Sequence, residues 1–173
     1  MGSGPLGDRF PMSGARDWRR NAVALAVFVA ICLAISAIGG WITAQSVGTW
    51  YPTLRKPFFN PPDWVFAPVW TSLYLAIAIA GWRVWRRAGV AGAPAAMACY
   101  ALQLALNLAW SFLFFGGRMI GAALAGILVL LVAIVANAAL FRPIDRVAAW
   151  LLAPYAAWVA FAALLNLALW WLN

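Results

Sequence analysis

Tyr155, Trp158, Ala162 and Asn166 recur at spacings of three, four and four residues, which places them on one face of a helix. Gln103, Asn107, Trp110 and Ser111 likewise fall within about 100° of one another around a helix axis. Trp70 and Tyr74 stand one turn apart and so share a face. Phenols, indoles and amides repeated on three segments suit one kind of chemistry, the enclosure of a flat apolar molecule with a few hydrogen bonds to orient it. Ordinary aromatic packing and interhelical hydrogen bonding are the competing readings. They account for any single residue better than for the same combination on three segments.

Ionic catalysis has little to work with. Histidine, the commonest general base and metal ligand, is absent, and the only carboxylates are Asp8, Asp17, Asp63 and Asp145. Two cysteines, Cys32 and Cys99, lie inside apolar runs, where a thiol behaves as a small hydrophobe. No metal site is expected.

The elements that carry these faces are read from the charges. Only 9% of the 173 residues are charged and 66% are hydrophobic, against about 25% charged in soluble domains. The uncharged intervals run 21–54, 64–82, 88–117, 119–141 and 147–173. Each suffices for one crossing of the hydrocarbon core, which takes roughly 20 residues, and none suffices for two. The segments lack the alternation of barrel strands. The expected fold is an all-α integral membrane protein, a single bundle of five transmembrane helices at about 20–45, 64–87, 94–115, 119–140 and 146–172.

Ahead of them, residues 1–19 are rich in Gly, Pro and Ser and are expected to be flexible. The long apolar run after Arg20, with no evident cleavage site, argues against a signal peptide. Nine basic residues fall on the side of the N-terminus and three (Arg55, Lys56, Arg118) on the other, which predicts a cytoplasmic N-terminus and an outward first loop. The net charge of +8 is thereby accounted for without nucleic acid.

Loop 46–63 and the start of the second helix hold five of the ten prolines (52, 57, 61, 62, 68). Seven aromatics stand among them between Trp50 and Trp70. An interfacial aromatic belt explains tryptophans but not prolines, which stiffen an extended path. A stiff aromatic lid over an interhelical cavity explains both. Asp63 is placed to cap the second helix. On the third, Ala98, Ala101, Ala105 and Ala109 lie roughly opposite the amide face; small residues so spaced let a neighbouring helix approach, here a second protomer. In a chain this rich in alanine, chance spacing is the alternative.

The run WYPTLRKPFFNPPDWVFAPVWTSLY (50–74) resembles the signature of the translocator protein family, also called tryptophan-rich sensory proteins or peripheral-type benzodiazepine receptors. LNLAWSFLFFG (106–116) and PYAAWVAFAALLN (154–166) are similar to its helix-three and helix-five signatures. The resemblance implies a five-helix bundle that binds porphyrins and related hydrophobic ligands, often as a homodimer through helix three. It maps ligand contacts onto Tyr51, Trp70, Asn107, Trp158 and Ala162. Two departures stand out. Phe58 and Phe59 occupy a segment where the family often has tryptophan. The C-terminal LNLALWWLN (165–173) also lacks the tyrosine and basic residue of the sterol motif proposed in animal members, so specific sterol binding is not expected.

With a porphyrin such as protoporphyrin IX as ligand, aromatic walls would stack on its faces, and Arg55 or Lys56 would meet its carboxylates. The leading expectation is a receptor, sensor or translocator for tetrapyrroles in the lipid bilayer, with no resident cofactor. The alternative, implied by some bacterial relatives, is an enzyme of light-dependent porphyrin breakdown in which Trp70 is the redox residue. An ion-coupled transporter is disfavoured, because no span carries a charge at mid-membrane.

Overall fold

The computed structural model describes residues 13–173, with side chains from Trp18 onward. Among these residues five helical spans are long and apolar enough to cross a membrane, and the fold is an all-α membrane bundle. Helix α1 runs Ser13–Val47 and so begins ahead of the expected start near 20. Of the segment expected to be flexible, residues 13–19 are therefore helical, and residues 1–12 lie outside the described residues.

Two short 3-10 turns, Tyr51–Thr53 and Asp63–Val65, punctuate the proline-rich loop. Proline suits such turns because its φ is already close to the helical value. Asp63 does not cap the second helix: α2, Phe66–Gly92, is preceded by Val65, and no side chain accepts from its first amides. The prolines here set an additional turn, which moves the helix start three residues beyond the carboxylate. Near its far end α2 is interrupted at Gly89, whose φ of 66° is open to glycine at little cost.

Helix α3, Pro94–Ser111, opens on a proline, where the missing N–H is no loss. It widens into a π turn at Phe112–Gly116 that closes with Gly117 N–H donating to the Phe112 carbonyl at 2.7 Å. Helix α4 spans Ile120–Phe141. The fifth span is divided into α5, Arg146–Leu151, and α6, Ala153–Leu172, with Pro154 in the first turn of α6. Asp145 caps α5, accepting from the amides of Val147 (2.9 Å) and Ala148 (3.1 Å).

The packing order is a closed ring in which α1 lies on α2, α2 on α5 and α6, α6 on α4, α4 on α3, and α3 back on α1. Ile77, Ile127, Leu130, Ile134, Leu152 and Val159 fill its centre, each at most 1% exposed. The outside is apolar as well: Val129, Val132 and Val135 of α4 are exposed, as a lipid-facing surface requires. Packing inside lipid depends on close approach more than on hydrophobicity. At Gly81 a Cβ would lie 2.5 Å from the Tyr100 ring, so α2 and α3 can touch only because this side chain is missing.

Candidate ligand cavity

At the loop end of the bundle, α1, α2, α3 and α6 enclose a cavity of about 470 Å³, within the range usual for small-molecule sites. Its interior end is a chain of three hydrogen-bonding side chains from three helices. Tyr74 Oη donates to Asn107 Oδ1 at 2.7 Å, and Asn107 Nδ2 donates to Tyr155 Oη at 2.8 Å. All three are buried. A buried amide between two phenols satisfies its donor and its acceptor at once, the condition for tolerating polar atoms in an apolar medium. Trp70 lies against both phenol rings, with centroids 5.7 Å from Tyr74 and 6.4 Å from Tyr155.

The second wall is built on α3 and its π turn. Trp110 stacks on Phe114 at 5.4 Å and donates its indole N–H to Asn166 Oδ1 at 3.2 Å. Asn166 in turn donates to the Ile120 carbonyl at 2.9 Å, tying the start of α4 to α6. Phe114 and Phe115 both reach the cavity, which fits the recurrence of π turns at functional sites.

From the loop, Tyr51 and Asp63 reach the cavity. Tyr51 Oη donates to Asn60 Oδ1 at 2.9 Å, and the Lys56 ammonium sits 4.2 Å above its ring. Burial first, and then the Asp63 carboxylate, raise the Tyr51 phenol above its ordinary pKa against the opposing Asn60 contact. The mouth thus holds a neutral hydroxyl, an ammonium and a carboxylate. The loop is tied across the bundle end by Asn173, which exchanges two hydrogen bonds with the Arg55 backbone (2.9 and 3.1 Å).

Of the residues singled out from sequence, Tyr51, Trp70, Tyr74 and Asn107 line the cavity, and so do Trp110, Ser111, Ala162 and Asn166. Tyr155 stands directly behind, as the last member of the phenol–amide chain. Gln103 is fully buried one turn before Asn107, and neither end of its amide has a partner. Trp158 does not line the cavity but packs behind it on Phe66, which does, and on Phe161, with its indole N–H unpaired among the described residues. Arg55, Phe58 and Phe59 do not reach the cavity: Phe58 is fully exposed and Phe59 packs on Phe161 of α6. Lys56 touches it only through Tyr51. Ala98, Ala101, Ala105 and Ala109 all lie exposed on the outer face of α3.

Sequence reading missed α1 altogether. Ser36, Gly39, Gly40, Thr43 and Val47 line the cavity; they fall on one side of the helix, and the adjacent pair Gly39–Gly40 was the available signal. Gly39 faces Ser111, whose Oγ would lie 3.4 Å from an added Cβ. Gly40, Ala44, Ala67 and Thr71 line the cavity yet are exposed, so it is open on its α1–α2 side. Among the described residues no group of three His, Cys, Asp or Glu gathers to hold a metal ion.

Five apolar spans, with an aromatic cavity walled by α1, α2, α3 and α6, define a class: a multi-pass membrane protein with an internal cavity. Comparison with known proteins narrows the class. The TspO/MBR family pattern matches residues 28–172, and the chain belongs to that family. It is 39% identical over 153 residues to the tryptophan-rich protein TspO of Archaeoglobus fulgidus, covering 88% of this chain and 99% of that one. It is 40% identical over 138 residues to the translocator protein of Ovis aries, covering 76% and 82%. Over 139 residues it is 38% identical to the tryptophan-rich sensory protein of Cereibacter sphaeroides, covering 80% and 84%.

Proposed function

We propose that this protein is a membrane receptor or translocator that holds a porphyrin or a similar flat lipophile in the cavity between α1, α2, α3 and α6. One observation carries the reading: two indole-bearing walls, Trp70 and Trp110, flank a space whose inner end is the Tyr74–Asn107–Tyr155 chain. Indole faces stack on an aromatic macrocycle, while the amide chain offers hydrogen bonds at one edge. The Lys56 ammonium, over the ring of Tyr51 at the mouth, is proposed as the partner of a ligand carboxylate. With no histidine in the chain, a haem iron would find no imidazole, and retention rests on ring and edge contacts. The relatives' names, translocator protein and tryptophan-rich sensory protein, agree with a ligand-handling role. The charge count favours a cytoplasmic N-terminus, and the exposed alanine row on α3 is proposed as the contact of a homodimer.

Titrating the purified protein with protoporphyrin IX while following tryptophan fluorescence tests the reading. Saturable quenching is expected, weakened in Asn107→Leu; quenching that never saturates would sink it. A second reading, light-dependent porphyrin breakdown, is favoured by the contact of Trp70 with two phenols. Indole could pass one electron to the excited porphyrin; the radical anion would add dioxygen, both of whose oxygens stay on the macrocycle as a carbon–carbon bond at a ring bridge breaks, and the electron returns to the indole. Loss of the porphyrin absorption band under illumination, slowed at least tenfold in Trp70→Phe, is the expected signature. An unchanged bleaching rate removes Trp70 from any such chemistry.

A further inference from the structure

At the opposite end of the bundle from the ligand cavity, a second concavity of about 560 Å³ lies between the end of α2 and the α4–α5 corner. Its charged lining is Arg87, Arg142, Arg146 and Asp145, with Ala139, Pro143 and Val147 between them. We propose that this is a binding site for a phosphate group, and specifically for the headgroup of an anionic phospholipid.

The charge balance is the first argument. Asp145 is the one carboxylate in the concavity, 1% exposed, and it is already engaged by Arg83 at 2.9 Å and Arg87 at 3.2 Å. Among the described residues, Arg142 and Arg146 have no carboxylate partner, and both are exposed. The concavity therefore keeps a positive excess that its own acid does not neutralise.

Preorganisation is the second. Arg87 uses a single nitrogen, Nη1, for both the Ile144 carbonyl (3.0 Å) and Asp145 (3.2 Å). Its guanidinium is held in place while its remaining N–H groups stay available. A fixed planar fork beside two further arginines matches the oxygens of a phosphodiester.

Position argues for lipid over free phosphate. The site lies where α2 and α4 end and the fifth span begins, at the boundary of the apolar belt. Trp150, one turn beyond Arg146, is 76% exposed, as expected of an indole in the headgroup region. Val147, which lines the concavity, is also exposed, an apolar surface for the start of an acyl chain. Basic concavities between helices at such a boundary hold anionic headgroups. The site shares no residue with the porphyrin cavity and does not depend on it.

The test is lipid capture by the full chain in detergent. Protein is incubated with mixed micelles of equimolar phosphatidylglycerol and phosphatidylcholine, and bound lipid is counted by native mass spectrometry. Retention of phosphatidylglycerol over phosphatidylcholine is expected, reduced roughly ten- to thirtyfold in Arg142→Gln/Arg146→Gln. Arg19→Gln/Arg20→Gln, at the same end but outside the concavity, should retain it. Equal capture of the two lipids, or equal loss in both double variants, overturns the proposal. A separate arm offers inorganic phosphate alone. If phosphate binds and is lost in the Arg142/Arg146 variant while phosphatidylglycerol is not enriched, the phosphate chemistry stands and its lipid source falls. Among the described residues Arg142 and Arg146 make no side-chain hydrogen bond, so the variant should fold, and an unchanged helical circular dichroism spectrum checks it.

Discussion

Asn107 is the side chain on which most of the cavity's polar order depends. It joins a phenol on α2 to a phenol on α6, so Asn107→Leu leaves two buried hydroxyls without their partner. Single interhelical hydrogen bonds in membranes are worth on average about 0.6 kcal/mol, and an orphaned buried group costs about 1–3 kcal/mol. The variant is expected to lose roughly 1–2 kcal/mol of stability, read by thermal denaturation in detergent, together with the weakened porphyrin quenching. Gly81 makes a different case, one of space, because an added Cβ meets the Tyr100 ring and its hydroxyl, which donates to the Ile77 carbonyl. Adding one methyl group drives it into the Tyr100 ring, and overpacking of this kind costs about 1–3 kcal/mol. Gly81→Ala should lower the melting temperature while leaving porphyrin binding nearly intact, because neither residue lines the cavity.

The α4–α5 corner is the element whose stability answers to pH. Burial alone would raise the pKa of Asp145. The Ala148 amide, the hydrogen bond and charge of Arg83, and the charge of Arg87 outweigh that, and the carboxyl ends below its ordinary value. A folded value below the unfolded one means the contribution is complete above the ordinary carboxylate range near 4 and is lost as pH falls through the folded value. Melting temperature should be insensitive to this group between pH 7 and pH 5 and fall below about pH 4. Asp145→Asn removes most of that acid-side loss; an identical acid profile in the variant would rule the corner out as its origin. Asp145→Ala also removes the α5 cap, at a further cost of about 1 kcal/mol.

On the scale of the whole molecule, the exposed alanine row of α3 sets an expectation for assembly. Bulky side chains there prevent close approach of helices, so Ala101→Leu/Ala105→Leu should shift the protein from dimer to monomer in sedimentation experiments. Porphyrin binding should persist, since the row faces away from the cavity; a dimer unchanged in mass moves the interface elsewhere.

Five spans, their order and their approximate limits were legible in the sequence because membranes impose a strong rule: twelve basic and four acidic residues cannot be placed at random along a lipid-crossing chain. The amide and aromatic faces of α2, α3 and α6 were legible for a related reason, since polar groups at membrane depth must point inward. What tertiary structure alone decided is which of these faces share one space. Trp158 carries the right residue type at the right spacing but packs on Phe66, because the spacing defines a face and not what stands opposite it. The α1 wall went unread because small residues such as Ser36, Gly39, Gly40 and Thr43 carry no distinctive chemistry in a string; they matter only once another helix is seen to leave room beside them. Nothing in the string pairs Asp145 with Arg83 and Arg87, some sixty residues earlier in the chain; the fold brought them against it. Local periodicity is a property of the chain, whereas enclosure and charge pairing between distant segments arise only when helices meet.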